Sequence, residues 1–169
     1  MEKSKEQEFT QLIAQNQGII HKVCNLYGKG QNKEDLFQEI VLQLWKAFPS
    51  FNRTRNAKFT TWMYRVALNT AITSYRKKER QPNYATLSSH ELQIPDFDPD
   101  AAGKEQLQSL YRAIRQLSEI ERAIIMLYLE EHNYQEMAEI MGMTESNIGV
   151  KLNRIKKKLK KIMKVVNSH

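Results

Sequence analysis

Asn133–Ile162 reads NYQEMAEIMGMTESNIGVKLNRIKKKLKKI and holds two helical patterns with a single glycine between them. Asn133 followed by Glu136 is a capping-box start, and Met137, Ala138, Ile140 and Met141 supply the buried side of a two-turn helix. Gly142 stops that helix. Thr144 can cap a second one, along which Ile148, Leu152, Ile155, Leu159 and Ile162 recur at alternating four- and three-residue steps and draw one apolar stripe. The opposite face carries Asn147, Val150, Asn153, Arg154 and Lys157, with Ser146 at its amino end. The spacing predicts a helix-turn-helix. Small Ala138 lets the helices approach, Gly142 turns the chain, and the second helix offers its amino-terminal half to a major groove.

An ordinary helical hairpin with a solvated lysine face would share this periodicity. Charge placement separates the two readings. From Met143 to His169 there are eight Lys or Arg against one acid, whereas a merely soluble helix usually mixes both signs.

Helix formers dominate the 169 residues, with only six Gly and four Pro. The fold class expected is all-α: two small helical domains joined by a flexible acidic linker, the second containing the helix-turn-helix. The net charge of +7 points to a polyanionic partner without saying which. Cys24 is the only cysteine, so it forms no intramolecular disulfide and no Cys-rich zinc site, and is expected to pack as a small apolar residue. The amino terminus is polar and no apolar run approaches a membrane span or a signal core, which implies a cytoplasmic protein.

Phe9, Leu12, Ile13, Ile20, Val23 and Tyr27 keep helical spacing and predict one helix from about Lys5 to Tyr27, ended by Gly28-Lys29-Gly30. Asn32 with Asp35 opens the next, whose apolar face uses Leu36, Phe37, Ile40, Val41, Leu44, Trp45 and Phe48 before Pro49 closes it. On its polar side Asp35, Gln38 and Glu39 project near one another. Residues 51–58, FNRTRNAK, form a polar, basic loop. A third helix follows, with Phe59, Trp62, Met63, Val66, Ala67 and Thr70 on one side and Arg76, Lys77, Lys78 and Arg80 at its carboxyl end. Interaction with the helix dipole accounts for one or two of those four charges. Residues 81–103 contain Pro82, Pro95, Pro99, Glu91, Asp96, Asp98 and Asp100 and read as a linker. Net charge runs +7 over residues 1–80, −4 over 81–110, −3 over 111–142 and +7 over 143–169. Two basic modules, 1–80 and 104–169, thus flank an acidic tether. The second opens with a helix using Leu107, Leu110, Tyr111, Ile114 and Leu117, and Ser118 with Glu121 forms another capping box for a helix bearing Ile120, Ala123, Ile124, Leu127 and Tyr128.

EDLFQEIVLQLW (Glu34–Trp45), FTTWMYRVALNTAITSYRKK (Phe59–Lys78) and LSEIERAIIMLYLEEHNYQEMAEIMGMTESNIGVKLNRIKKKL (Leu117–Leu159), in this order around a variable linker, resemble the extracytoplasmic-function group of bacterial sigma factors. The resemblance implies a non-enzymatic subunit without cofactor or metal. Its partners would be core RNA polymerase, promoter DNA and an anti-sigma protein, often membrane-bound in this family. Residues 1–80 would be the region 2-like domain and 104–169 the region 4-like domain. Asp35, Gln38 and Glu39, extended by Leu42 and Lys46, match the surface that binds the clamp helices of the largest polymerase subunit. Asn52, Arg53, Arg55, Asn56, Lys58 and Asn69, with Arg76, Lys77 and Lys78, fall in the part that melts and reads the minus-ten element. Single-stranded capture of that kind needs polar base contacts, a stacking partner and cations. Trp62 is assigned to the core rather than to stacking. Ser146, Asn147, Val150 and Arg154 would face bases of the minus-thirty-five duplex, while Lys151, Lys156, Lys157 and Lys158 would meet phosphate. Arg122 matches an arginine that braces the DNA backbone.

The chain departs from the family pattern at Ser118, where proline is frequent, at Leu68 and Thr73, which replace an arginine and an aspartate, and at Gly149, where lysine or arginine is frequent. Gly149 costs about 1 kcal/mol of helix propensity relative to Ala, and close approach of DNA is its expected reason. Two other classes compete. A stand-alone helix-turn-helix regulator would bind duplex DNA as a symmetric dimer without polymerase. An enzyme acting on nucleic acid would use Glu34, Asp35 and Glu39 as metal ligands. No His pair, glycine-rich phosphate loop or placed nucleophile accompanies those acids.

Overall fold

Ile20, Val23, Ile40, Leu44, Met63, Ala67 and Ala71 are completely or almost completely removed from solvent. They sit at the apolar spacings of three successive helices, so those helices pack on one another. The computed structural model describes residues 2–29, 32–51, 58–80 and 104–167. The chain divides into two compact units, residues 1–83 and 84–169. Among the described residues all regular structure is helical, as the composition predicts. The expected linker, 81–103, lies outside the described residues.

The first unit contains α1 (Glu2–Gln15), α2 (Gln17–Tyr27), α3 (Asn32–Ala47), a 3₁₀ turn (Phe48–Ser50) and α4 (Phe59–Arg80). The latter three α-helices pack pairwise. The single helix expected from about Lys5 to Tyr27 is instead two, broken at Asn16. The Asn16 side-chain amide donates to the Leu12 carbonyl at 2.8 Å, taking the acceptor that its own N–H would use in an α-helix. That N–H donates to the Ile13 carbonyl at 3.0 Å instead. Local competition of this kind is why Asn disfavours helix interiors. Phe9, on α1, lies edge-on to Trp45 and Phe48, with ring centroids 5.0 and 5.2 Å away. Gly28 ends α2 where only glycine fits, because a Cβ there would stand 2.8 Å from both the Cys24 carbonyl oxygen and Lys33 Cγ. Cys24 is buried, and burial, against a smaller opposing effect of Lys33, pushes its thiol up to about 11. It packs as the small apolar residue expected.

The second unit contains α5 (Lys104–Arg115), α6 (Glu119–Leu129), α7 (Tyr134–Met141) and α8 (Glu145–Asn167), and α8 packs against the other three. Both expected capping boxes form. The Glu121 N–H donates to Ser118 Oγ at 3.3 Å and the Ser118 N–H to Glu121 Oε1 at 3.0 Å. The Glu136 N–H donates to Asn133 Oδ1 at 2.8 Å and the Asn133 N–H to Glu136 Oε1 at 3.2 Å. Each satisfies two amide donors that a helix start otherwise leaves open.

The α6–α7 corner holds a conformation the sequence does not advertise. Glu131 adopts φ 68°, its N–H donating to Tyr128 O at 3.0 Å while the His132 N–H donates to Leu127 O at 3.1 Å. This is a Schellman ending with glutamate where glycine is usual. The left-handed conformation costs a residue with a Cβ roughly 1–2 kcal/mol, and the greater unfolded-chain freedom of glycine offsets about 0.5–1 kcal/mol of that. Glu131→Gly is therefore expected to stabilise the second unit by about 0.5–1 kcal/mol. Hydrogen exchange of the α6 and α8 amides measures it, and slower exchange is the expected result.

Candidate nucleic-acid and polymerase interfaces

Three helices carry the residues singled out in the sequence. On α3, Asp35, Gln38, Glu39, Leu42 and Lys46 recur at three-, four- and seven-residue steps, and all five are exposed. Leu42 keeps 48% of its surface and Trp45, on the flank of the same face, 39%. Exposed leucine and tryptophan beside acids and an amide form an amphipathic strip suited to a partner helix rather than to water alone. Among the described residues no group of three or more His, Cys, Asp or Glu is placed to hold a metal ion.

Asn52, Arg53, Arg55 and Asn56 lie outside the described residues. The boundaries of their loop are defined. Phe51 before it and Phe59 after it meet edge-on at 5.6 Å, and both rings lie on Trp62, at 5.1 and 5.4 Å. Phe48 joins from the 3₁₀ turn, 6.2 Å from Trp62. Aromatic pairs at such separations contribute about 0.5–1.5 kcal/mol each beyond area burial. Trp62 is thus half-buried in a cluster that clasps the loop at its base, in keeping with its assignment to the core. Lys58, Asn69, Arg76, Lys77 and Lys78 are all exposed. Arg65, in the core-bearing half of α4, is exposed too. The steps of four and seven from Arg65 to Asn69 and Arg76 put these three on one side of α4, and Lys58 immediately precedes its first residue. That spacing was the available signal.

On α8 the apolar stripe is buried as far as Leu159: Ile148, Leu152 and Ile155 are completely buried and Leu159 nearly so, whereas Ile162, expected to continue it, is half-buried. Thr144 Oγ1 accepts from the Asn147 N–H at 3.1 Å, and Gly142 turns the chain in the left-handed region at φ 67°, ψ 38°. Ser146, Asn147, Val150, Arg154 and Lys157 are exposed together, Val150 by 49%, and Lys151 is half-buried at their edge. An exposed valine between polar side chains is costly in water and useful against a thymine methyl.

Several residues expected at DNA also meet neighbours within their own unit. Lys158 does not point away from the unit; its Nζ donates to Glu121 Oε1 and Oε2 at 3.2 and 3.0 Å. Burial pushes the Glu121 carboxyl up, but its hydrogen bonds with Ser118 and Lys158 outweigh this and hold it below the ordinary carboxylate value. Lys156 lies over the Tyr128 ring, 4.2 Å from its centroid, a cation–π contact. These two lysines flank the apolar stripe and tie α8 to α6. Arg122, expected at the DNA backbone, is 7% exposed. Its Nε donates to Leu117 O at 3.1 Å and one Nη to Arg115 O at 2.6 Å. It occupies carbonyls of the last α5 residue and of the connection that follows, because only three residues separate α5 from α6. Burial, and then the Arg122 charge, push the Arg115 guanidinium below its usual value.

Gly149 also has a neighbour within the unit. A Cβ on it would stand 3.4 Å from Tyr134 Cε2 and 4.0 Å from Cδ2, so its near neighbour is the first residue of α7. That contact is ordinary, and alanine would recover about 1 kcal/mol of helix propensity. Gly149→Ala is expected to raise the stability of the second unit by up to about 1 kcal/mol with duplex affinity unchanged. Hydrogen exchange and a DNA titration on the same variant check both halves.

Comparison with known families follows this division. Sigma-70 region 2 matches residues 12–81 and sigma-70 region 4 matches residues 107–159, one in each unit. The ECF RNA polymerase sigma factor SigW of Bacillus subtilis is 25% identical, over 95% of this chain and 91% of the relative. The ECF RNA polymerase sigma-E factor of Escherichia coli is 25% identical, over 83% of this chain and 78% of its own length. Among solved structures, the sigma factor RpoE of Bartonella quintana, in complex with the anti-sigma factor NepR, shares the fold with a TM-score of 0.75 at 21% identity. It covers 94% of this chain and 98% of its own. CnrH, in complex with the cytosolic domain of CnrY, gives 0.66 at 16% identity, covering 95% and 90%. With region 2 on the unit that bears the α3 strip and region 4 on the helix-turn-helix, the chain belongs to the extracytoplasmic-function group of the sigma-70 family of RNA polymerase sigma factors.

Proposed function

We propose that this sigma factor binds core RNA polymerase through the α3 strip of Asp35, Gln38, Glu39 and Leu42 and directs it to promoters without catalysing chemistry itself. The observation that carries the reading is the exposed, amphipathic α3 strip in the unit matched by region 2, together with a basic duplex-reading helix in the unit matched by region 4. Lys58, Arg65, Asn69, Arg76, Lys77 and Lys78, with the loop residues Asn52, Arg53, Arg55 and Asn56, take the minus-ten strand as it opens. Ser146, Asn147, Val150 and Arg154 read the minus-thirty-five duplex, and Lys151 and Lys157 meet its phosphates. Arg122 acts from within the fold. The units correspond to domains at 1–80 and 104–169. One structural relative was solved with an anti-sigma factor, and a protein of that kind is the proposed inhibitor. No helix among the described residues is long and apolar enough to cross a membrane, in line with action in the cytoplasm.

Transcription with purified core polymerase tests the reading. Wild type should yield promoter-specific transcripts. The folded Asp35→Ala, Gln38→Ala double variant should lose them together with core binding. A protein that selects duplex DNA alone and leaves core polymerase undirected would instead be a stand-alone regulator. The two kinds of DNA contact separate by mutation. Arg154→Ala is expected to relax sequence preference and cost about 1–3 kcal/mol at the best site. Lys157→Ala should weaken all sites alike and lower the salt slope by about one unit. Identical behaviour of the two would contradict the division of the face.

A further inference from the structure

α8 continues well past the part that can read bases. A recognition helix contacts base edges with its amino-terminal residues, and a straight helix leaves the curving groove beyond them. Region 4 matches only to residue 159, but α8 runs on to Asn167. Lys160, Lys161 and Lys164 follow Lys157 by three, four and seven residues and lie within about 60° of it around the axis. All four are exposed. No acid occurs after Glu145 in the chain, so nothing on α8 neutralises this ridge. Lys156 and Lys158, by contrast, are turned toward Tyr128 and Glu121. From Lys157 to Lys164 the ridge spans about 10 Å at 1.5 Å per residue.

We propose that Lys160, Lys161 and Lys164 form a phosphate clamp on the DNA flanking the element read by α8, extending the footprint without adding sequence information. The inference rests on α8 being the duplex-reading helix. Its occupant is DNA backbone because the ridge continues the reading face without a break and consists only of ammonium groups. Ammonium groups act as point charges on phosphate and carry no base pattern.

The test uses the full chain and a promoter duplex selected from random sequence by the holoenzyme, with binding measured as a function of salt. The triple variant Lys160→Gln, Lys161→Gln, Lys164→Gln keeps near-equal helix propensity. Three lost contacts should flatten the log–log salt slope by roughly 2.7 units. Between about 50 and 200 mM salt the wild type should then lose on the order of 40-fold more affinity than the variant. Wild type on a duplex trimmed to the bases that set preference should show the same flattened slope. Sequence preference should stay unchanged in the variant. An unaltered slope, while Arg154→Ala still relaxes preference, overturns the clamp but keeps the reading of α8. An unaltered slope with weaker binding to core polymerase in the absence of DNA assigns the ridge to an acidic protein surface and also overturns it. If Arg154→Ala leaves preference untouched as well, the reading of α8 itself fails.

Discussion

Ile155→Ala should cost the second unit about 3–4 kcal/mol, within the range of roughly 2–5 kcal/mol for truncating a fully buried isoleucine. Ile155 has no exposed surface and lies in the stripe through which α8 packs on the other three helices of its unit. A domain of this size commonly has a stability of only about 3–10 kcal/mol, so one such cavity removes a large share of it. Hydrogen exchange of the α6 and α8 amides should accelerate by two orders of magnitude or more, since each 1.4 kcal/mol is about tenfold. Duplex binding should weaken in parallel because the reading face exists only while the stripe is packed. A cost below about 1 kcal/mol would mean that α8 collapses into the space.

Arg122→Ala should cost about 3 kcal/mol by a different route. Two charge-assisted hydrogen bonds disappear, and the carbonyls of Arg115 and Leu117 lose their shared donor near the end of α5. Relief of the repulsion felt by Arg115 returns part of this. Arg122→Lys should restore less than half, because an ammonium cannot present the guanidinium fork. The measurement that separates fold from DNA contact is the salt slope of the folded variant. It should be unchanged, whereas a residue braced on a phosphate would lower it by about one unit. A lowered slope with undiminished stability would return Arg122 to the DNA surface.

The behaviour of Arg122 shows where linear reading reaches its limit. The family pattern suggested a cation facing DNA, and nothing in LSEIERAI says that the guanidinium turns back onto the carbonyls of Arg115 and Leu117. Lys156 and Lys158 differ from Lys157 by one residue each, and about 100° of helix rotation per residue brings their ammonium groups to Tyr128 and Glu121 while both side chains stay exposed. Gly149 acquired its neighbour in the same way, from the first turn of α7. In each case the partner lies on another helix, so the deciding contact is set by packing.

Periodicity, capping and charge, by contrast, are local. The stripe from Ile148 to Leu159, the boxes at Ser118 and Asn133, the turn at Gly142 and the exposed α3 strip were legible because each depends on residues within about two helical turns of one another. Asn16 is the instructive exception: its break is local too, but it depends on a side chain outcompeting its own backbone by a margin that spacing does not reveal. The amino-acid order by itself thus determined that the chain is helical, two-part, and basic along the exposed face of its last helix. Only tertiary structure decided which cations remain available to a partner, because a charge three residues from another becomes a bond or a free ammonium according to what the next helix brings to it.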